Sequence, residues 1–345
     1  MKQTAGPAGH VAIGIPVRDE VQRLPRLLDA LSRQSEAGGF IACFLLDGCR
    51  DESEVLLRSQ AETLPFRVKI ASLPRCRPNA GRARRAAMQL CLEALGHAPG
   101  SIVLTTDADS IPLPGWVEAN CASLASVDVV AGYIERKTRH PDSWRTQLED
   151  YLARLHDLRR ALDPIEYDPL PSHPCLGAAS LGFRTDAYRD LGGFPEYPHG
   201  EDTAIVAKAR REGYRVRHDH SVQVMTSGRT EGRAPGGLAD ELKAQISQIQ
   251  PPLVPNPVVL SRHYEKQALA RRAFNCGETR RTLSRQFDLC PDYLEDVCGL
   301  VRGSDAFVAH VAPDNAIDRV EVLPLPEAER QLALLRVKAP ERAVA

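Results

Sequence analysis

The stretch Ser101–Trp116, SIVLTTDADSIPLPGW, runs from an apolar segment into two aspartates at alternate positions and then into a proline-rich turn. A short apolar run closed by turn residues has the pattern of a buried strand. On an extended chain residues two apart share a face, so Asp107 and Asp109 are both able to look toward one ligand at the strand's end. Hard cations such as Mg²⁺ and Mn²⁺ take oxygen ligands, commonly one or two carboxylates, and complete the shell with water and substrate phosphates. Read by themselves, the two acids would equally cap the turn before "SIPLPGW".

The flanking sequence repeats the same design. His10–Val17 and Phe40–Leu46 are apolar runs, and Phe66–Leu73 is a third. Between the first two, Val21, Leu24, Leu27, Leu28 and Leu31 recur at helical spacing, and "AGRARRAAMQLCLEAL" follows the third. Strands alternating with helices predict an α/β domain with a mainly parallel central sheet flanked by helices. Ligands of such sheets bind beyond the carboxyl ends of the strands. Those ends carry Pro16, Arg18 and Glu20, then Asp47 and Asp51, then Asn79 to Arg84, and finally Asp107 and Asp109. Of the five arginines Arg75, Arg77, Arg82, Arg84 and Arg85, Arg84 is the candidate to meet a diphosphate near a helix start.

Bulk composition narrows the classes. A chain of 345 residues with 43% hydrophobic and 26% charged residues buries a sizeable core. Its formal net charge of -1 gives no global pull toward nucleic acid, so anion binding rests on local clusters. The nine cysteines are scattered, without a C-x-x-C pair, as expected of reduced thiols in a cytoplasm. The first ten residues lack the apolar core of a signal peptide, and no run approaches the ~20 apolar residues of a membrane helix. The expectation is a soluble, cytoplasmic protein, with peripheral membrane contact left open.

Beyond residue 135 the alternation stops. Residues 143–163 read as a helix and 164–175 as a proline-rich loop; a strand, a short helix, a glycine turn and a second helix follow. The loop "TSGRTEGRAPGG", Thr226–Gly237, is rich in glycine and arginine, and helical patterns dominate afterwards. This places a catalytic domain at 1–237 and a mainly helical C-terminal region of uncertain role at 238–345.

Taken in order and spacing, "IGIPVRDE", "LLDGCRDES", "NAGRARRAAM", "TTDADS", "LGAASLGFRTDAYRDLGGFPE" and "GED" resemble the family 2 glycosyltransferases of GT-A fold over about residues 10–230. The resemblance implies transfer of a sugar from a nucleotide-diphosphate donor, UDP- or GDP-linked, to an acceptor hydroxyl, usually with Mg²⁺ or Mn²⁺. Carried over by position, it implies that Pro16, Arg18 and Glu20 line the nucleotide pocket and that Asp47 contacts the base. Gly81 and Arg84 belong to the segment near base and ribose. Asp107 falls beside the ribose and metal, Asp109 is the principal metal ligand, and Asp202 is the base of inverting members. Arg18 stands where the family usually has an aromatic residue, Leu46 where it has a first aspartate, and Arg85 where asparagine is common.

Other assignments stay open beside these. Glu201, Arg229 and Arg233 are candidate phosphate or acceptor contacts, and either His218 or His220 could complete a metal shell. A retaining enzyme similar to glucosyl-3-phosphoglycerate synthase would share the core, as would a non-catalytic nucleotide-sugar-binding relative. A nucleotidyltransferase is disfavoured, because "IGIPVRDEVQRL" lacks a glycine-rich, lysine-containing diphosphate loop. Donor sugar, acceptor and oligomeric state are not written in the sequence.

Overall fold

The computed structural model describes residues 11–35, 39–96, 98–137, 143–227, 250–314 and 321–338. Contacts divide the chain into two compact units, one of residues 1–139, 175–207 and 216–242, the other of 140–174, 208–215 and 243–345. The sequence reading drew one division near residue 237. Grouping by contact adds 140–174 and 208–215 to the C-terminal helices.

The first unit is built on eight strands: β1 Val11–Val17, β2 Phe40–Asp47, β3 Arg67–Leu73, β4 Ile102–Thr105, β5 Ser110–Pro112, β6 Val129–Lys137, β7 Leu181–Arg184 and β8 Val216–Ser227. Their order in the sheet is β3-β2-β1-β4-β7-β6-β8-β5. The block β3-β2-β1-β4 is parallel throughout, as is the β6–β8 pair, whereas β7 pairs antiparallel with β4 and β6, and β5 with β8. Central strands β1 (VAIGIPV) and β2 (FIACFLLD) are apolar along nearly their whole length because both faces are covered. Edge strand β3 instead exposes Arg67 and Lys69, charges that discourage pairing with another chain.

Helix α1 (Leu24–Ser32) buries Leu24, Leu27, Leu28 and Leu31, the stripe its spacing predicts. Helix α2 (Ser53–Gln60) follows β2, and α3 (Ala80–Leu95) follows β3. Asn79 caps α3, its Oδ1 accepting from the Arg82 backbone N–H at 2.8 Å. α3 lies close on β1: a Cβ at Gly14 would stand 2.9 Å from Met88 Sδ and 3.2 Å from the Ala87 carbonyl carbon. From β1 the chain first adds β2 and β3 on one side, then returns to place β4 on the other. The strand order therefore reverses between β1 and β4, which is where a crevice opens in an α/β sheet. Helix α4 is Trp116–Leu124.

In the second unit, helix α5 (Ser143–Leu162) contributes Tyr151, Leu155 and Leu158 to a cluster with Tyr264, Leu325 and Leu332. In the first unit, helices α6 (Thr185–Asp190) and α7 (Glu201–Arg211), the latter up to residue 207, precede β8. The C-terminal elements are β9 (Leu253–Pro255), α8 (Pro257–Phe274), α9 (Gly277–Phe287), α10 (Pro291–Leu300), α11 (Ser304–Val311), β10 (Val322–Pro324) and α12 (Leu325–Lys338). Arg271 of α8 forks onto Asp163 with two bonds of 2.9 Å. All nine cysteines are free. Among the described residues no helix is long and apolar enough to cross a membrane.

Candidate active site

The pair that opened the sequence reading lies in a turn rather than on a strand. β4 ends at Thr105, and the Ser110 N–H donates to the Asp107 carbonyl at 3.1 Å to close the turn into β5. The strand stops because β1 ends its pairing there: the Thr105 hydroxyl and the Thr106 N–H both donate to the Gly14 carbonyl, at 3.1 and 3.3 Å. Side chains still alternate through the turn, with Asp107 and Asp109 half-buried on either side of buried Ala108.

Arg84 holds the first of these acids. From the first turns of α3 its guanidinium donates to Asp107 Oδ1 at 2.6 Å, to the Thr105 hydroxyl at 2.7 Å, to the Ala178 carbonyl at 3.3 Å and to Glu201 Oε1 at 3.3 Å. Four contacts on a side chain 7% exposed leave little of the guanidinium for a phosphate. Burial opposes the charge, but Asp107, Glu201 and Asp202 around it hold the guanidinium above its ordinary pKa. The Glu201 pKa is raised as well, by burial, despite Arg84. It faces inward onto Arg84 and is 4% exposed.

Asp202, next along α7, is half-buried, and its Oδ2 accepts from the Ala178 N–H at 3.1 Å. Gly200 enters this helix at φ +76°, a backbone state that disfavours a side chain. A Cβ at Gly177 would sit 2.9 Å from Ile134 Cδ1 and in ordinary contact, 3.9 Å, with Asp202 Oδ2. Arg84 thus gathers the D-x-D turn, the 177–180 turn and the start of α7 around one buried charge.

Gly81 has a packing role. A Cβ on it would come within 2.0 Å of the Pro195 carbonyl oxygen and 2.7 Å of the Tyr197 nitrogen. The loop leading to α7 lies on this spot, with the Gly81 N–H donating to the Tyr197 carbonyl at 2.9 Å and Asn79 Nδ2 to the Glu196 carbonyl at 3.0 Å.

At the end of β2, Asp47 is clasped by two arginines. Arg18 Nη1 reaches its Oδ2 and Arg82 Nη2 its Oδ1, both at 2.7 Å, and Arg18 Nη2 also donates to the Cys76 carbonyl at 2.8 Å. Arg82 and Arg84 are two residues apart on a helix, about 200° around the axis, so they face opposite ways. That signal was present in the sequence, where Arg82 stood only as one of five arginines. Pro16, next to last in β1, lies beside Leu45, and Glu20 is buried just before α1 with Arg23 on its carboxylate at 3.1 Å.

Asp107 and Asp109 suit a hard divalent cation: both supply carboxylate oxygens at a half-exposed turn, and Asp107 Oδ2 has no hydrogen-bond partner among the described residues. The described residues also bring Asp19, Cys49 and Asp51 together. That trio is a scaffold of the loop after β2, with Asp19 accepting from the Arg50 N–H and Asp51 from the Val21 N–H. His218 and His220 lie on β8, which bulges between Asp219, level with Gly132, and Gln223, level with Tyr133. His220 stacks on Tyr133 at 4.5 Å. Arg229 and Arg233 fall outside the described residues.

Residues 12–190 match the model of a protein family, Glycosyl transferase family 2. The chain belongs to that family. This family 2 glycosyltransferase carries the GT-A fold expected from the resemblance, with its parallel block on the β1 side of the sheet and mixed pairing on the other. Among curated proteins no sequence matches it. Solved structures similar to it include Staphylococcus aureus TarS 1–349 in complex with UDP-GlcNAc, at 14% identity, TM-score 0.49, and coverage of 89% of this chain and 91% of that one. Another is the mannosyltransferase PcManGT from Pyrobaculum calidifontis in complex with GDP-Man and Mn²⁺, at 18% identity, TM-score 0.47, and coverage of 90% and 88%.

Proposed function

We propose that this glycosyltransferase moves a sugar from a nucleotide-diphosphate sugar to an acceptor hydroxyl with inversion, and that Asp202 is the base. The observation that carries the proposal is the Arg84 guanidinium, which binds Asp107 at 2.6 Å and the neighbour of Asp202 at 3.3 Å. Donor-side and acceptor-side acids are thereby fixed in one frame. A hydroxyl is a weak nucleophile until a carboxylate takes its proton in the transition state. Asp202 is half-buried and oriented by the Ala178 N–H, which steadies its Oδ2 while leaving further lone pairs for an acceptor proton. Glu201 beside it is turned inward and is not the group that meets the acceptor.

Asp107 and Asp109 would hold Mg²⁺ or Mn²⁺, whose charge helps neutralise a departing diphosphate. Arg84 keeps the Asp107 carboxylate in place for that duty. Pro16, Arg18, Asp47 and Arg82 form the end of the site where the nucleoside belongs. Gly81 serves it by admitting the loop that leads to Asp202, and Glu20 by bracing the start of α1.

The test is a panel of UDP- and GDP-sugars assayed for transfer and for donor binding. Asp202→Asn is expected to cut turnover by about 10²–10⁴-fold with donor affinity unchanged. Full turnover in that variant, or a product that keeps the donor's anomeric configuration by NMR, removes Asp202 from the role of base.

A further inference from the structure

The turn that orients Asp202 is itself anchored. Ala178–Ser180 form a single 3₁₀ turn, closed by the Ser180 N–H on the Gly177 carbonyl at 3.1 Å. The Ala178 N–H reaches Asp202 Oδ2 at 3.1 Å, and the Ala178 carbonyl accepts from Arg84 Nη1 at 3.3 Å. At the last residue of the turn, the Ser180 hydroxyl accepts from Trp116 Nε1 at 3.0 Å, and both side chains belong to residues only 1% exposed. Trp116 opens α4, which the chain enters after leaving the D-x-D turn through β5. Strand β6 closes on the same hydroxyl: a Cβ at Gly132 would stand 2.2 Å from Ser180 Oγ.

One 3₁₀ turn has poor hydrogen-bond geometry and little stiffness of its own, so its place is set by what it is tied to. Arg84 divides its guanidinium among four acceptors, and its bond to Ala178 is long. The indole N–H makes one short bond, and a buried indole depends on such a partner.

We propose that Trp116 and Ser180 are positioning residues for the base: the indole N–H fixes the 177–180 turn, and through the Ala178 N–H that turn aims the Asp202 carboxylate. The proposal rests on the reading of Asp202 as base given above. The segment that follows Asp107 and Asp109 thereby sets the carboxylate that meets the acceptor.

The experiment takes the UDP- or GDP-sugar that turns over fastest and measures release of its nucleoside diphosphate, its affinity by calorimetry with Mn²⁺, and the melting temperature of each variant. Trp116→Phe keeps an aromatic ring and loses the N–H; Ser180→Ala loses the acceptor. Each should lower kcat by about tenfold or more and leave donor affinity within about twofold, because a small misplacement of a reacting group costs rate. The double variant removes both partners. It should recover part of the stability that Ser180→Ala loses by stranding a buried N–H, while its kcat stays as low as in the single variants. Adding Trp116→Phe to Asp202→Asn should change kcat by less than about twofold, since the carboxylate it steadies is gone. Full turnover in either folded single variant, turnover that recovers with stability in the double, a parallel fall in donor affinity, or a loss that multiplies with that of Asp202→Asn overturns the positioning role alone. Full turnover in Asp202→Asn overturns the reading of Asp202 as base and this inference with it.

Discussion

Arg84 donates to Asp107 at 2.6 Å from a position only 6% exposed, so the first acid of the D-x-D pair leans on a cation withdrawn from solvent. Replacing Arg84 by methionine leaves Asp107 and Glu201 without that cation. Breaking such a buried pair costs about 3–5 kcal/mol, and urea denaturation of Arg84→Met should show a loss of that size. Arg84→Lys keeps the charge and should fall in between. An exposed arginine used only for phosphate would give the opposite pattern, weaker donor binding with stability intact.

Gly81→Ala sets a methyl group 2.0 Å from the Pro195 carbonyl oxygen, and backbone rather than a flexible tip must yield. Overpacking of this kind costs about 1–3 kcal/mol. Because the displaced loop leads to Asp202, turnover should fall more steeply than donor affinity. Steady-state kinetics beside a thermal melt separates the two effects.

Asp109→Ala should lower Mn²⁺ affinity by at least about tenfold, measured by calorimetry in the presence of a nucleoside diphosphate. Asp107→Ala should do the same and also lower stability, since it uncovers the buried charge of Arg84. Unchanged cation affinity in both proteins would rule out the D-x-D turn as the metal site.

Asp219 sets a dependence on pH. It is buried, with Ser221 donating to Oδ1 from its N–H at 2.9 Å and its hydroxyl at 2.7 Å, and with Ser123 and Arg217 at Oδ2. Burial alone would raise its pKa, but these partners hold it below the ordinary 3.8. The folded protein thus binds fewer protons there than the unfolded chain. The stabilisation is present above about pH 3.8 and is lost as pH falls toward the folded value. Asp219→Asn should be less stable at neutral pH and should show a shallower acid slope in denaturation curves taken across pH 2–6.

The parallel half of the sheet was legible in the sequence because buried central strands leave long apolar runs such as FIACFLLD and α1 leaves a clear stripe. The antiparallel insertion of β7 was hidden, since LGFR is four residues long and pairing direction is set by distant partners. At the candidate site, the positions of the acids at loop and helix starts were legible, but their company was not. Arg84 looked like a phosphate contact from its helix start, and only tertiary packing brings Thr105, Ala178 and Glu201 around it. The strand assigned to Asp107 and Asp109 proved to be a turn, because their alternate burial survives the end of pairing and mimics strand periodicity.

The seam at Asn79–Gly81 and Glu196–Pro198 limits how relatives of this enzyme can be recombined. Ala80, Gly81 and Asn79 bind the backbone of a segment more than 110 residues later in the chain. A chimaera joined between β6 and β7 would take its two sides of this seam from different parents. Only parents that keep a glycine at 81 and the same loop path would yield a folded hybrid, so the two sides of the seam are inherited together.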